Sequence, residues 1–242
     1  MKTASATDRG RVRPANEDSV LADQETGILI VADGMGGHAA GEVASDLAVR
    51  TISGGLREAL AAGPNETQLP GVLRQVIEQA NLAIRGRAAE DLSLRGMGTT
   101  LAMALARGDR LWLAHVGDSR AYLLRDGQIR RLTEDHSLVS QMVKAGQITP
   151  EEARKHHLRN VITRSLGFEA SAQAEISAVE WAPGDCLLLC SDGLTSMLDD
   201  SEIAEAVTAH GQDLPAICRE LIALANERGG TDNISVVLAL NA

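Results

Sequence analysis

Residues 99–106, 111–116, 121–125 and 128–132 form a run of strand-like segments, and the connections between them are too short for anything but hairpins. Asp126-Gly127, between the last two, is a strong two-residue turn signal. A meander of this kind is antiparallel. An antiparallel sheet with one wet face, however, alternates apolar and polar residues, and several runs here do not. Residues 28–32 (ILIVA) and 187–189 (LLL) are unbroken apolar stretches. Unbroken apolar strands are covered on both faces. Two antiparallel sheets packed together, each with helices outside it, satisfy both constraints. The order of elements, strands and then a helix pair twice over, agrees. The expected class is α+β: a four-layer α-β-β-α sandwich, two central antiparallel sheets flanked by helix pairs.

The apolar runs share a second feature. Residues 28–32 end on Asp33, 111–116 run on to Asp118, and 186–190 run on to Asp192. Asp232 stands just before the last run, 234–240. In antiparallel sheets the end of one strand lies beside the start of its neighbour, so the four carboxylates can reach one rim. Two like unit charges 4 Å apart cost about 1 kcal/mol in water and about 4 kcal/mol at an effective dielectric near 20. Something positive should neutralise them. An all-oxygen donor set suits hard cations such as Mg²⁺ or Mn²⁺ rather than zinc. Taken singly, each Asp reads as readily as the opening of a turn; the repetition at strand ends favours a site.

The chain has 242 residues, enough for one large domain or two small ones, and no composition break divides it. We expect a single domain over residues 1–242, with an excursion at about 137–166. With 33 acidic and 23 basic residues the formal net charge is -10, which speaks against nucleic acid or an anionic membrane as the main partner. Cys186, Cys190 and Cys218 contain no CxxC pair and read as small buried apolar groups in a reducing compartment. No run is long enough to span a membrane, and the start lacks an apolar signal core. The expectation is a soluble, cytoplasmic monomer.

Residues 40–60 are helical by period, with Val43, Leu47, Thr51, Leu56 and Leu60 near one face and Gly54-Gly55 weakening the end. After a linker at 63–69, a second helix buries Leu73, Val76, Ile77, Ala80 and Ile84. The polar stretch 137–166 contains two short helical pieces; Thr149-Pro150-Glu151-Glu152 is a capping box with Pro at the first helical position. Strands are expected at 172–179 and 185–190. Asp199-x-x-Glu202 opens a helix ending near Gly211, and Asp213 opens a last one burying Ile217, Leu221 and Leu224.

Several familiar chemistries are absent. The glycines at 34–41 miss the dinucleotide-loop spacing, since Ala39 stands in the third glycine's place. There is no P-loop and no nucleophile elbow. Gly34 has another use: lacking a side chain, it lets its own carbonyl approach a cation.

Six stretches together carry a resemblance. They are Arg13-Pro14-Ala15-Asn16-Glu17-Asp18, residues 32–41 (ADGMGGHAAG) with Glu42 and Ser45, Gly98-Thr99-Thr100, Gly117-Asp118-Ser119-Arg120, Ser191-Asp192-Gly193 and Gly230-Thr231-Asp232-Asn233. In this order, across nearly the whole chain, they resemble the metal-dependent serine/threonine protein phosphatases of type 2C in their compact bacterial form. The resemblance implies that Asp33 bridges two metals, Mn²⁺ or Mg²⁺, and that the Gly34 carbonyl binds the first. It implies that Asp192 and Asp232 bind the second, and that Glu17 and Asp18 act through metal-bound waters. Asp118, with Asp192, would hold a third, looser ion, and Arg13 would grip the substrate phosphate. The implied reaction is hydrolysis of phosphoserine and phosphothreonine by direct attack of water, without a phosphoenzyme.

The general acid stays open. Many relatives have a histidine directly after the Asp-Gly pair, where this chain has Met35; the nearest is His38, and His136 is equally open. His115 reads as structural, and His156, His157 and His210 as solvated. The implied partners are phosphorylated proteins, among them a bacterial Ser/Thr kinase and a phosphothreonine-binding adaptor. Two alternatives remain: a non-catalytic phosphoprotein sensor on the same fold, and a small-molecule phosphomonoesterase. Substrate choice is expected to be set by 137–166.

Overall fold

The computed structural model describes residues 1–36 and 40–242. One sheet joins β1 (Lys2–Asp8), β7 (Arg120–Arg125), β8 (Gln128–Arg131), β10 (Cys186–Cys190) and β11 (Ile234–Leu240) in the order β1-β11-β10-β7-β8. The other joins β2 (Asp18–Asp23), β3 (Ile28–Met35), β5 (Leu101–Arg107), β6 (Arg110–Val116) and β9 (Glu175–Glu180) in the order β2-β3-β5-β6-β9, with the two-residue β4 (Gly98–Thr99) beside β3. Every strand pair is antiparallel. Helices α1 (Ala40–Ala61) and α2 (Leu69–Glu90) cover the second sheet; α6 (Asp200–His210) and α7 (Leu214–Glu227) cover the first. The α-β-β-α sandwich expected from the sequence is the observed fold, but the expected meander is not one sheet. The pairs β5–β6 and β7–β8 are hairpins, whereas residues 117–119 carry the chain from β6 in one sheet to β7 in the other.

The unbroken apolar strands now have a physical account. Ile28, Ile30 and Ala32 face α1 and α2, whereas Leu29 and Val31 face the opposite sheet. Leu188, Val236 and Leu238 face α6 and α7, whereas Leu187, Leu189, Val237 and Ala239 fill the space between the sheets. Odd and even positions thus serve two different apolar layers, so no position is left for water. Truncating a wholly buried residue such as Ile30 to Ala would cost about 2–5 kcal/mol.

Local differences from expectation have local causes. The buried face of α1 is not the Val43–Leu47–Leu60 stripe but the small residues Ala40, Gly41, Ala44, Ser45 and Ala48, followed by Val49, Ile52 and Leu56. Small side chains let α1 lie close on β3, while Val43, Leu47 and Leu60 pack at the margin. Gly54-Gly55, expected to weaken the end of α1, serves its packing: a Cβ on Gly55 would stand 3.0 Å from Val76 Cγ1, so the bare backbone lets α2 approach. Helix α2 begins at Leu69, inside the expected linker, with Pro70 in its first turn. Strand β9 starts at Glu175 rather than 172. In α7, Leu224 lies at the edge of the core, which Ala225 enters instead. All three cysteines are free and buried.

Between β8 and β9 the chain leaves the sandwich. Helices α3 (Leu138–Lys144) and α4 (Pro150–Lys155) stand there, the second capped by the Thr149–Glu152 box. An isolated bridge pairs Ser137 with Ile162, so the two ends of the excursion lie side by side.

Candidate active site

The edges of the two sheets meet at a pocket of about 200 Å³ lined by Arg13, Glu17, Asp33, Gly34, Asp118, Asp192 and Asp232, among others. The carboxylates scattered from residue 17 to residue 232 are therefore gathered in one place. Asp18 and Asp33 are register partners at the ends of β2 and β3. Asp192 opens a single helical turn, α5 (Asp192–Thr195), directly after β10; the sequence reads only as a turn there. Asp232 precedes β11, the neighbour of β10.

The backbone at Asp33 is held on several sides. Thr100 N donates to Asp33 O at 2.9 Å, Thr99 Oγ1 donates to the same carbonyl at 2.9 Å, and Asp33 N donates to Thr100 Oγ1 at 3.0 Å. Thr100 Oγ1 also meets Ser119 Oγ at 2.7 Å, which ties this strand to the Asp118 loop. Two glycines are required by close approach. A Cβ on Gly34 would stand 2.1 Å from Gly41 O and 2.5 Å from Glu17 O, and one on Gly193 would stand 1.9 Å from Asn233 O. The second absence is what lets Asp192 come down beside Asp232. For Gly34 the demand comes from packing as well as from any cation.

Sequence reasoning assigned no role to Asn233 or Ser191, although both lie in the quoted motifs. Asn233 Oδ1 accepts from Glu17 N at 2.8 Å, and its Nδ2 donates to Arg9 O and Ala15 O at 2.9 Å each. It fastens the loop carrying Arg13 and Glu17 to the start of β11. Ser191 Oγ donates to Asp18 Oδ2 at 2.8 Å across the two sheets. Asn160 and Ile162, from the excursion, also line the pocket. No sequence signal marked them, because their approach depends on how the excursion folds back.

The electrostatics are those of crowded, poorly solvated anions. Burial, then the proximity of Asp18, Asp192 and Asp118, pushes the Asp33 carboxyl well above the usual range. Burial and Asp192 do the same to Asp118. Burial raises Asp18 to about 7 and, with Asp232 adding repulsion, raises Asp192 to about 6. Burial also raises Glu17. The Asp33 and Asp192 carboxyls lie within hydrogen-bonding reach of each other. Asp18 Oδ1 and Asp192 Oδ1 are buried without a hydrogen-bond partner. Orphaned acceptor oxygens, mutual repulsion and an all-oxygen donor set are what a hard divalent cation would relieve, so the residues fit Mn²⁺ or Mg²⁺.

Arg13, half exposed, donates to Asp232 Oδ2 at 2.7 Å. That contact holds its guanidinium at the pocket rim. His38 lies outside the described residues. His136 is placed away from the pocket: its Nδ1 accepts from Gly117 N at 3.1 Å and its Nε2 meets Glu175 Oε1 at 3.0 Å, with Arg164 beside both. Burial lowers its pKa, and its ring stacks on that of His115. It braces the Asp118 loop and offers no proton to the pocket. His115, His136 and Glu175 could geometrically hold an ion, their ligand atoms lying within 4.8 Å of one another. The Arg164 guanidinium and the existing bonds to Gly117 N and to Glu134 O occupy that space. His115 is buried in β6, and His157 and His210 are exposed.

A family model described as protein phosphatase 2C matches residues 10–238. The serine/threonine phosphatase stp of Listeria monocytogenes is 42% identical over 235 residues, covering 96% of this chain and 92% of that protein. The serine/threonine protein phosphatase PstP of Mycobacterium tuberculosis is 42% identical over 240 residues, 99% of this chain but 45% of that longer protein. A crystal structure of the M. tuberculosis phosphatase superposes with a TM-score of 0.89 at 40% identity, covering 100% of this chain and 99% of that one. A structure of the PstP catalytic domain in complex with two manganese ions superposes at 0.86, with 41% identity and 98% and 96% coverage. With a family model spanning most of the chain, and relatives this similar along its whole length, the chain belongs to the protein phosphatase 2C family and is a metal-dependent serine/threonine protein phosphatase.

Proposed function

We propose that the chain acts as one catalytic unit that hydrolyses phosphoserine and phosphothreonine in proteins by direct attack of water. The observation that carries this is the gathering of Asp33, Asp118, Asp192 and Asp232 with Arg13 around one pocket, in an electrostatic state that calls for cations. Asp33, the Gly34 carbonyl, Asp192 and Asp232 would hold two Mn²⁺ or Mg²⁺ ions, with Glu17 and Asp18 supporting them through water. Asp118 and Asp192 would share a third, looser one. The ions supply a lowered pKa for water and compensation of phosphate charge.

The chain's own groups do the rest. The Arg13 guanidinium matches two phosphate oxygens in a fork. To do so it must exchange Asp232 for substrate, and a cation on Asp232 would weaken the bond that now restrains it. Asn233 keeps the Arg13 loop in register with Asp232 during that exchange. Thr99 and Thr100 pin the backbone of Asp33, which fixes the point from which its carboxylate enters the pocket. Asn160 and Ile162 close the side towards the excursion, which acts as a flap.

The substrates would be phosphoproteins made by a Ser/Thr kinase, with phosphothreonine-binding adaptors among them, in the cytoplasm, and the enzyme a monomer. No helix among the described residues is long and apolar enough to cross a membrane. The test is phosphate release from phosphopeptides and from small phosphomonoesters with Mn²⁺, Mg²⁺ and chelator. Metal-dependent turnover of the peptides that collapses in Asp33→Asn is expected. Tight phosphopeptide binding without turnover at saturating Mn²⁺ would mean a sensor, and a preference for metabolites would mean a small-molecule esterase.

A further inference from the structure

Two short runs beside the pocket mouth are basic although the chain carries a net charge of -10. Residues 9–13 and 153–164 hold cations and no carboxylate, with Glu151 and Glu152 standing at the start of α4 just before the second run. The loop on one side has Arg9, Arg11 and Arg13; the flap on the other has Arg154, Lys155, Arg159 and Arg164. Arg13 lines the pocket from the first side and Asn160 and Ile162 from the second, so these segments form its two lips. A groove of about 480 Å³ continues from the pocket beneath the flap, bounded by Arg154, Arg159 and Met197, and shares Asp118, Asn160 and Asp192 with it.

Some of these cations are committed. Arg13 pairs with Asp232, Arg164 with Glu175, and Arg9 donates to Pro14 O. Arg11, Arg154, Lys155 and Arg159 are exposed, and among the described residues none makes an ion pair. Arg154 already feels Asp199 across the groove. The groove's far wall does carry carboxylates, but each is engaged. Asp199 caps α6, Asp200 accepts from Tyr122 Oη at 3.0 Å, and Glu202 pairs with Arg228. Exposed arginines without partners cost solvation little and gain only when an anion arrives.

We infer that the two lips, through Arg11 and Arg159, select phosphopeptides carrying further negative charge beside the scissile phosphate, either acidic side chains or a second phosphate. This rests on the phosphatase reading above. A fully extended peptide advances about 3.3–3.6 Å per residue, so charges within a few positions of the phosphoresidue fall over the lips. Exposed pairs are individually weak, about 1.4- to fivefold each, and their field also speeds encounter with an anionic substrate.

The experiment uses three phosphothreonine peptides with one core sequence: neutral flanks, Asp/Glu flanks, and a second phosphothreonine. kcat/KM for each is measured with Mn²⁺ at low and high salt, for the wild type, Arg11→Gln/Arg159→Gln and Arg159→Glu. The wild type should favour one or both charged peptides over the neutral one by about two- to twentyfold. The double variant should bring that ratio close to one, Arg159→Glu should lower it further, and high salt should erode it. Which charged peptide gains tells whether side chains or phosphate are read. Equal kcat/KM for all three peptides in the wild type, or a preference that survives in the double variant, would overturn the inference while leaving the phosphatase reading intact. Absence of turnover of every peptide would overturn both.

Discussion

Replacing Asp192 by Asn should make the metal-free protein more stable while destroying its response to metal. In the fold, burial and Asp232 raise the Asp192 carboxyl to about 6 from an ordinary 3.8. Because the folded pKa lies above the unfolded one, the penalty is present above about pH 6 and disappears below about pH 4. Taken at face value the difference is worth about 3 kcal/mol at pH 7.5. The pocket is open to water, which screens part of it, so about 1–2 kcal/mol is the working figure. For a chain of this length that corresponds to a rise in Tm of about 2–8 °C in chelator. In manganese the order should reverse. The wild type gains about 2.7 kcal/mol at a hundredfold excess over Kd, and the variant gains far less. Differential scanning fluorimetry at pH 7.5, with EDTA and with Mn²⁺, gives both curves. A variant Tm at or below that of the wild type in EDTA would refute the claim that the cluster is strained by its own charge.

Other consequences follow from the same geometry. The metal-free wild type should gain stability on acidification from pH 8 to about 5, because Asp18 at about 7 and Asp192 at about 6 take up protons in the fold; a monotonic loss of Tm over that window would contradict it. Gly193→Ala would drive a Cβ into Asn233 O, costing about 1–3 kcal/mol. It should also weaken manganese binding at least tenfold by separating Asp192 from Asp232, as calorimetric titration can measure. Arg13→Ala should lower kcat/KM for phosphopeptides by about 10–100-fold, with Lys restoring only part, since the fork is lost; full rescue by Lys would show that charge alone matters. Because Ser137 pairs with Ile162, replacing 139–160 by a short turn should leave the sandwich folded by circular dichroism and abolish discrimination among phosphopeptides. Unchanged discrimination would remove the flap from substrate choice.

Much of this architecture is legible in the chain, because the constraints are local and repeated. Hairpin-length connections give the antiparallel pairs β5–β6 and β7–β8, though the equally short 117–119 link crosses between the sheets instead, and unbroken apolar strands dictate cover on both faces. The capping boxes at Thr149 and Asp199 form as their spacing predicts. Less legible were features decided by contacts far apart in sequence. The buried face of α1 is set by how near small residues let it approach β3, which periodicity alone does not report. The expected strand 99–106 divides at Thr100: Gly98 and Thr99 pair with Met35 and Gly34, and β5, from Leu101 onward, pairs farther along the same neighbour. In the pocket, the Asp residues announced themselves by their place at strand ends. Asn233, Ser191 and Thr100 did not, since a buried polar side chain that fastens two loops looks in sequence like any turn residue. In sequence His136 is a candidate acid; in the fold both of its nitrogens are spent, on Gly117 and Glu175.

The central claim is that the gathered carboxylates exist to hold divalent cations. Anomalous diffraction at the manganese edge, from crystals grown at neutral pH with excess Mn²⁺, tests it most directly. Peaks between Asp33 and Gly34 O, and between Asp33, Asp192 and Asp232, are predicted, together with release of Arg13 from Asp232. A pocket free of anomalous signal, with the Asp33–Asp192 contact unchanged, would contradict it.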